Sequence, residues 1–454
     1  MSLISINPYN NQLIATYKQD ANKTIHQKID ATALAQKKWK ALSITKRATY
    51  FIALQKQLQK NRNSLAELIT TEMGKPITQS YLEVDKCAMV CEYYATRTTE
   101  FLQPEIIASN ATKSYTHFEP IGNILAVMPW NFPFWQVFRS MAPIMMGGNG
   151  YVLKHASNVY GCAKAIEQLI LSAKFPKDIF QLLCITSADV HKAIANENIH
   201  AITCTGSTAA GQAVAMYAAK HLKKCVLELG GSDAYVVLAD ADLQKAVTAA
   251  LYSRMINNGQ SCIAAKRFIV VKKVYQQFLN LLHHEMCKLV IGNPMEEKTT
   301  IGPLAKTELR DELLKQVKAS IKKGAISAIP QLAPSQGAFF SPMILHQVQK
   351  GMTAYNEELF GPVCTVIVAQ NEKDALQIAN DTTFGLGAAV FTSNIAKGED
   401  IARHQLDAGN CFVNDFVRSV PGLAFGGVKQ SGYGRELGKW GMYEFMNIKT
   451  VYVA

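Results

Sequence analysis

A cysteine ends a polar, glycine-containing segment, Asn257-Asn-Gly-Gln-Ser-Cys262. A thiol attacks as its thiolate, and an exposed, electropositive or amide-rich setting lowers the pKa from its ordinary value of about 8.5. Of the ten cysteines, Cys262 has the local sequence best suited to that, and the others read as small buried hydrophobes. No histidine stands near it in the chain, which argues against a papain-like hydrolase. Two acids border glycine-rich segments. Glu228, in Leu227-Glu-Leu-Gly-Gly231, closes a strand-like run, the place where open α/β sheets keep their ligands. Glu358 precedes the Gly361-Pro362 turn. Either acid alone fits a solvated surface carboxylate better than a general base, by about three to one. Gly206-Ser-Thr-Ala-Ala-Gly211 lies between strand-like and helix-like runs, where backbone N–H groups and the helix dipole can receive a pyrophosphate. It is neither GxGxxG nor a P-loop, because Gln212-Ala213 stands where Lys-Ser/Thr is required, so a plain turn with Ser207 as the helix cap also fits. His283, His284 and Cys287 share a helical run, but with no fourth ligand nearby no metal site is expected.

These residues need a frame to converge. Ile25, Ile29 and Leu34, then Phe51, Leu54 and Leu58, recur at helical spacing, and Ser64 with Glu67 reads as a capping box before a stop at Gly74-Lys75-Pro76. The first hundred or so residues are therefore expected to be mostly helical. From Ile124 short apolar runs alternate with helical stretches: Ile124 to Met128, Tyr151 to Lys154, Phe180 to Ile185, Ala201 to Cys204 and Cys225 to Leu229. That alternation means βαβ units and a parallel sheet. A second series, Tyr235 to Leu238, Phe268 to Val271, Val363 to Val368, Leu386 to Phe391 and Cys411 to Asn414, predicts a second α/β unit, with the joint near Gly230-Gly231.

Composition narrows the function classes. With 454 residues, 48% hydrophobic and 18% charged, the chain can bury a large core and exceeds one compact unit. The net charge of +12 is scattered in pairs such as Lys223-Lys224 and Lys272-Lys273, with no basic run, so no nucleic-acid partner is expected. Ten cysteines without a CxxC pair read as reduced thiols of a cytoplasmic protein. The start lacks the basic and apolar regions of a signal peptide. Pro129, Asn131 and Pro133 interrupt the uncharged stretch Ile121 to Phe138, so no membrane span is expected.

Taken together, the segments Pro129-Trp-Asn-Phe-Pro133, Lys154, Gly206-Ser-Thr-Ala-Ala-Gly211, Leu227-Glu-Leu-Gly-Gly231, Gly259-Gln-Ser-Cys262, Glu358-Leu-Phe-Gly-Pro362 and Phe425-Gly-Gly-Val-Lys-Gln-Ser-Gly432 resemble the aldehyde dehydrogenase superfamily along the whole chain. The short length, Lys154-His155 and the tail Val428-Lys-Gln-Ser-Gly-Tyr-Gly-Arg-Glu-Leu437 look most like its bacterial succinate-semialdehyde dehydrogenase branch. The resemblance implies an α/β fold: a Rossmann-like cofactor domain (1–110 and 124–230), an α/β catalytic domain (231–432) and a small β oligomerisation arm (111–123 and 433–454). Within that arm the strand contacts are expected around Tyr115 to Asn123 and Lys449 to Ala454. An edge such as Val451 to Ala454 invites another chain, so a homodimer or homotetramer is expected.

The same resemblance implies NAD(P)+-dependent oxidation of an aldehyde, with Cys262 as nucleophile, Asn131 and the Cys262 amide holding the oxyanion, and Glu228 activating the hydrolytic water. It places Trp130, Lys154, Ser157, Gly206, Ser207, Gly211, Leu229, Gly230, Glu358 and Phe360 around the NAD or NADP cofactor. Ser157 stands where NAD-selective members carry a glutamate, so no charge repels a 2′-phosphate and NADP should be tolerated. For the substrate, expected to be succinic semialdehyde, Arg139 is the candidate carboxylate clamp, and Arg139→Met is expected to erase the preference over butanal. Phe134 and Trp135 are expected to wall the channel with apolar surface that also suits plain aliphatic or aromatic aldehydes, so a broad-specificity aldehyde dehydrogenase is the alternative. Arg418 and Ser419 substitute for the arginines that relatives place at Ile256 and Gly422. Two rivals remain at this point. A CoA-acylating enzyme would pass the thioester to a thiol, against which the presence of Glu228 argues. A non-catalytic protein of the same fold would not need Cys262, Glu228 and Asn131 together.

Overall fold

The computed structural model describes residues 2–454. Both expected strand series form, each as one sheet. In the first, Asn123–Met128 lies centrally, with Gly150–His155 and Phe180–Leu183 on one side and Ala201–Thr205 and Lys224–Glu228 on the other, all parallel. The chain leaves the central strand in one direction, then returns to add strands on the opposite side. The crevice at that reversal opens at the carboxyl ends of Asn123–Met128 and Ala201–Thr205, the usual ligand position of such sheets. Trp130, Asn131, Gly206 and Ser207 follow directly from those ends.

The second sheet runs Ile326–Ala328, Met343–His346, Val363–Ala369, Arg267–Val271, Ala234–Val237, Gly387–Phe391 and Asn410–Val413, parallel except at its first pair. A third, antiparallel sheet joins Glu105–Ile106, Lys113–Pro120 and Met446–Val453. Its strands start earlier than Tyr115 and Lys449, because pairing continues in register from Met446 opposite Pro120 to Val453 opposite Lys113. Gly432–Tyr433 pairs with Glu228 and Leu227 in the first sheet, tying the tail of the glycine-rich 425–432 segment to the Glu228 strand.

The N-terminal residues form the helices Asn22–Lys40, Ile44–Lys60, Arg62–Met73 and Ile77–Phe101. Two local expectations are corrected. Leu34 is exposed, since the buried stripe of its helix follows Ile25, Ile29, Thr32, Gln36 and Trp39, a helical period that skips it. Ser64 is no cap: the helix begins after Asn61, and the Ser64 hydroxyl donates to the Asn61 carbonyl from inside the first turn. The stop is as expected, with Gly74 left-handed at φ 86°. Among the described residues, no helix is long and apolar enough to cross a membrane.

Candidate active site

Cys262 follows a short turn, Ile256–Gly259, in which Asn257, Asn258 and Gly259 all have positive φ. Side chains hold this unusual backbone from several directions. The Asn257 amide donates to the carbonyls of Asn131 (2.7 Å) and Gln260 (2.9 Å), and that of Asn258 donates to the carbonyls of Gly74 and Pro303. The buried Arg254 guanidinium donates to the carbonyls of Gly259, Leu359 and Gly361, fastening the cysteine loop to the Glu358 loop. Lys266 adds a second tie: its ammonium donates to the Ser261 and Cys262 carbonyls and pairs with Glu358 at 3.0 Å.

The thiol is partly buried at the edge of a cavity of about 250 Å³. Burial pushes its pKa up to about 11, with Arg139 and Lys266 opposing and Glu358 and Glu228 adding to the rise. Asn131 is buried, and its side-chain amide donates to the Gln260 carbonyl at 3.1 Å, two residues before the thiol. Glu228 is also buried, and among the described residues neither carboxylate oxygen has a hydrogen-bond partner. Burial, then the neighbouring Glu436, raises its pKa well above the usual carboxylate range, against the pull of Arg139 and Arg435. A buried carboxylate without partners is costly in a purely structural role, and it points to a site where a further group binds.

Glu358 accepts the Gly231 N–H at 3.2 Å, at the joint between the two strand series. A Cβ on Gly230 would press on the Glu358 carboxylate and one on Gly211 on the Leu229 side-chain tip, so a larger residue at either position would make those side chains shift. Trp130 and Phe360 meet edge to face at 5.7 Å. Ser207 caps the helix Thr208–Lys220 by accepting the Ala210 N–H. Lys154 is buried at the end of its strand and donates to Ser187 at 3.3 Å, and Ser157 follows on a short 3-10 turn.

The cavity corrects one substrate expectation, Phe134, and is lined by Trp135, Arg139, Arg418 and Ser419. Phe132, Trp135, Gln136 and Arg139 line it at helical spacing, so Phe134 faces the other way, stacking on Phe138 within the core. Arg139 does line the cavity, but its charge is already matched: the guanidinium pairs with buried Glu436, donates to Thr205 at 3.2 Å and lies over Phe425. Its removal would strand Glu436 in the interior, so Arg139→Met is a structural lesion rather than a clean test of specificity. Arg418 sits exposed on the rim and pairs with Asp415 at 2.7 Å. Ser419 is buried and does line the cavity. Sequence reasoning passed over Gln79, Glu83 and Lys86, which reach the same cavity from the helix Ile77–Phe101. Their spacing puts them on one helical face, but nothing local shows what that face meets.

A profile of the aldehyde dehydrogenase family matches residues 2–451. The chain belongs to the aldehyde dehydrogenase family. A probable succinate-semialdehyde dehydrogenase [NADP(+)] of Synechocystis sp. is 42% identical over the full length of both chains. The succinate semialdehyde dehydrogenase [NAD(P)+] Sad of Escherichia coli is 40% identical, covering 99% of this chain and 97% of its own. The crystal structure of succinic semialdehyde dehydrogenase from Streptococcus pyogenes in complex with NADP+ superposes with a TM-score of 0.97 at 34% identity, covering 99% of each chain. This chain is therefore an NAD(P)-dependent oxidoreductase acting on an aldehyde.

Proposed function

We propose that this aldehyde dehydrogenase oxidises succinic semialdehyde to succinate with NADP+ or NAD+. The observation that carries the hydrolytic course is the partnerless Glu228 carboxylate beside the clamped Cys262 loop. The Cys262 thiolate adds to the aldehyde carbonyl, forming a C–S bond and an alkoxide. The Asn131 amide and the Cys262 N–H would stabilise that alkoxide, each such donor typically contributing ~3 kcal/mol. The cofactor, when bound, accepts the hydride that leaves this adduct, giving a thioester. Glu228 then removes a proton from water as the water attacks the thioester carbonyl, and the carboxylic acid leaves as the Cys262–carbon bond breaks. Burial and the neighbouring Glu436 raise its pKa, which increases the carboxylate's affinity for a proton.

The groove fits the cofactor. Gly206, Ser207 and Gly211 at the start of the helix Thr208–Lys220 would hold a pyrophosphate, and Glu358 and Lys154 would hold the two riboses. Ser157 carries no charge against a 2′-phosphate. Full-length relatives named for succinic semialdehyde support the substrate. The exposed apolar edge at Ile448, Tyr452 and Val453 supports a homo-oligomer, and the thiol-rich composition supports a cytoplasmic site. The test is an incubation of succinic semialdehyde or butanal with each cofactor, followed by the absorbance of reduced cofactor. Turnover of succinic semialdehyde with both cofactors is expected; no reduction of either would remove the reading.

A further inference from the structure

One face of the helix Ile77–Phe101 borders the cavity through Gln79, Leu82, Glu83 and Lys86, the i, i+3, i+4, i+7 pattern of a single stripe. Glu83 is committed elsewhere: it pairs with buried Lys75 and accepts the N–H groups of Phe134 (2.8 Å) and Trp135 (2.9 Å). Lys86 is not. Among the described residues no carboxylate pairs with it. Its ammonium lies 4.1 Å from the centre of the Trp135 ring and donates to the Ser419 hydroxyl oxygen at 2.9 Å. The Trp135 indole N–H donates to that same oxygen at 3.1 Å.

This geometry fixes the polarity of the corner. A hydroxyl oxygen accepts at two lone pairs and donates one hydrogen. Lys86 and Trp135 occupy both acceptor positions on Ser419, so its O–H is left to donate away from them. Lys86 has further N–H bonds to give, so the corner offers donors only, next to an unmatched positive charge. A largely enclosed ammonium without a counterion is unfavourable unless an anion enters from outside. The other cations of the cavity have partners: Arg139 pairs with Glu436, and Arg418 on the rim with Asp415.

We propose that Lys86 is the specificity-determining cation of this enzyme, receiving with Ser419 the far carboxylate of a short ω-carboxy aldehyde whose carbonyl lies at Cys262. The inference rests on the acidic-semialdehyde reading above and assigns the charge recognition to this helix. Lys86 is held down to about 8 by burial, then by Arg139, against the opposing charges of Cys87, Glu83 and Cys262. On the segment bearing Ser419 the other charged groups are Arg418 and its partner Asp415.

The experiment compares kcat/KM for succinic semialdehyde with that for butanal, a ratio in which titrations common to both substrates, such as those of Cys262 and Glu228, cancel. In the wild type the ratio is expected to be large at pH 7 and to fall as pH rises above about 8, where the ammonium loses its proton while the substrate stays anionic. Lys86→Met and Lys86→Gln are each expected to cut the ratio by about ten- to hundredfold, the worth of a hydrogen bond to a charged group, and to flatten its pH dependence. The loss should fall mainly on KM for the semialdehyde. A wild-type ratio near one would remove the acidic-semialdehyde reading itself. A large ratio that is flat with pH and survives both substitutions would leave that reading standing and overturn the role of Lys86.

Discussion

At Cys262 the protein sets burial against two cations. Burial lifts the thiol to about 11, and Arg139 and Lys266 recover only part of that rise, so the resting side chain is mainly the thiol at neutral pH. Since only the thiolate is alkylated, the rate of carboxamidomethylation at Cys262, followed by mass spectrometry of its peptide, should climb about tenfold per pH unit between roughly pH 7 and 10. A plateau reached by pH 8 would mean that the thiolate is stabilised in the free enzyme after all. Lys266→Met removes one of the lowering charges and should move the curve to higher pH. Glu228 separates from Cys262 by timing. Cys262→Ala should abolish turnover, because no adduct can form. Glu228→Gln should release one equivalent of reduced cofactor quickly and then stall, because its carboxylate acts only on the water step. Rapid-mixing absorbance distinguishes the two, and steady turnover in Glu228→Gln would place the base elsewhere.

The turn Ile256–Gly259 carries the nucleophile, and Gly259 is its tightest point. A Cβ there would lie 2.3 Å from the backbone carbon of Gly361, and φ is +79°. Gly259→Ala is therefore expected to cost ~2 kcal/mol or more of stability and to push the cysteine loop away from the Glu358 loop. A shift of that size near the reacting atom should lower kcat/KM by about a hundredfold. Thermal melts together with steady-state rates check both parts, and unchanged kinetics would show that the contact is slack. Elements of this kind were unevenly legible in the sequence. The parallel strands from Ile124 to Asn414 stood out because strands buried on both faces are continuous apolar runs, and Glu228 could be read as the last residue of one of them. What stayed hidden depends on distant partners. Arg139 read as a free clamp because Glu436 lies in the C-terminal tail, and Phe134 read as a channel wall because two adjacent aromatic residues give no sign of which one faces the cavity. Lys86 drew no attention, since a lysine on an amphipathic helix ordinarily marks the solvent side.

On the scale of the whole molecule, the antiparallel sheet of Glu105–Ile106, Lys113–Pro120 and Met446–Val453 stands apart from the two larger, mostly parallel sheets and gives no residue to the lining of the Cys262 cavity. Met446–Val453 is the edge strand of that sheet, paired with Lys113–Pro120 on one side and open on the other. Ile448, Tyr452 and Val453 are about half exposed along it, and Ile106 is 81% exposed at the opposite edge. Natural proteins cover or charge such edges, and an apolar one left bare is a template for another chain. Each chain has a mass of 50.0 kDa, so light scattering at micromolar concentration should report a multiple of that value. Truncation after Met446 should lower the mass toward one chain. Because the truncation also strips a partner from Lys113–Pro120, the milder pair Ile448→Lys and Tyr452→Lys serves as the control: it leaves the strand backbone intact, places charge on the exposed face and should weaken association in the same direction. A monomeric wild type, or an assembly indifferent to both changes, would mean that this edge is closed by something other than a second copy.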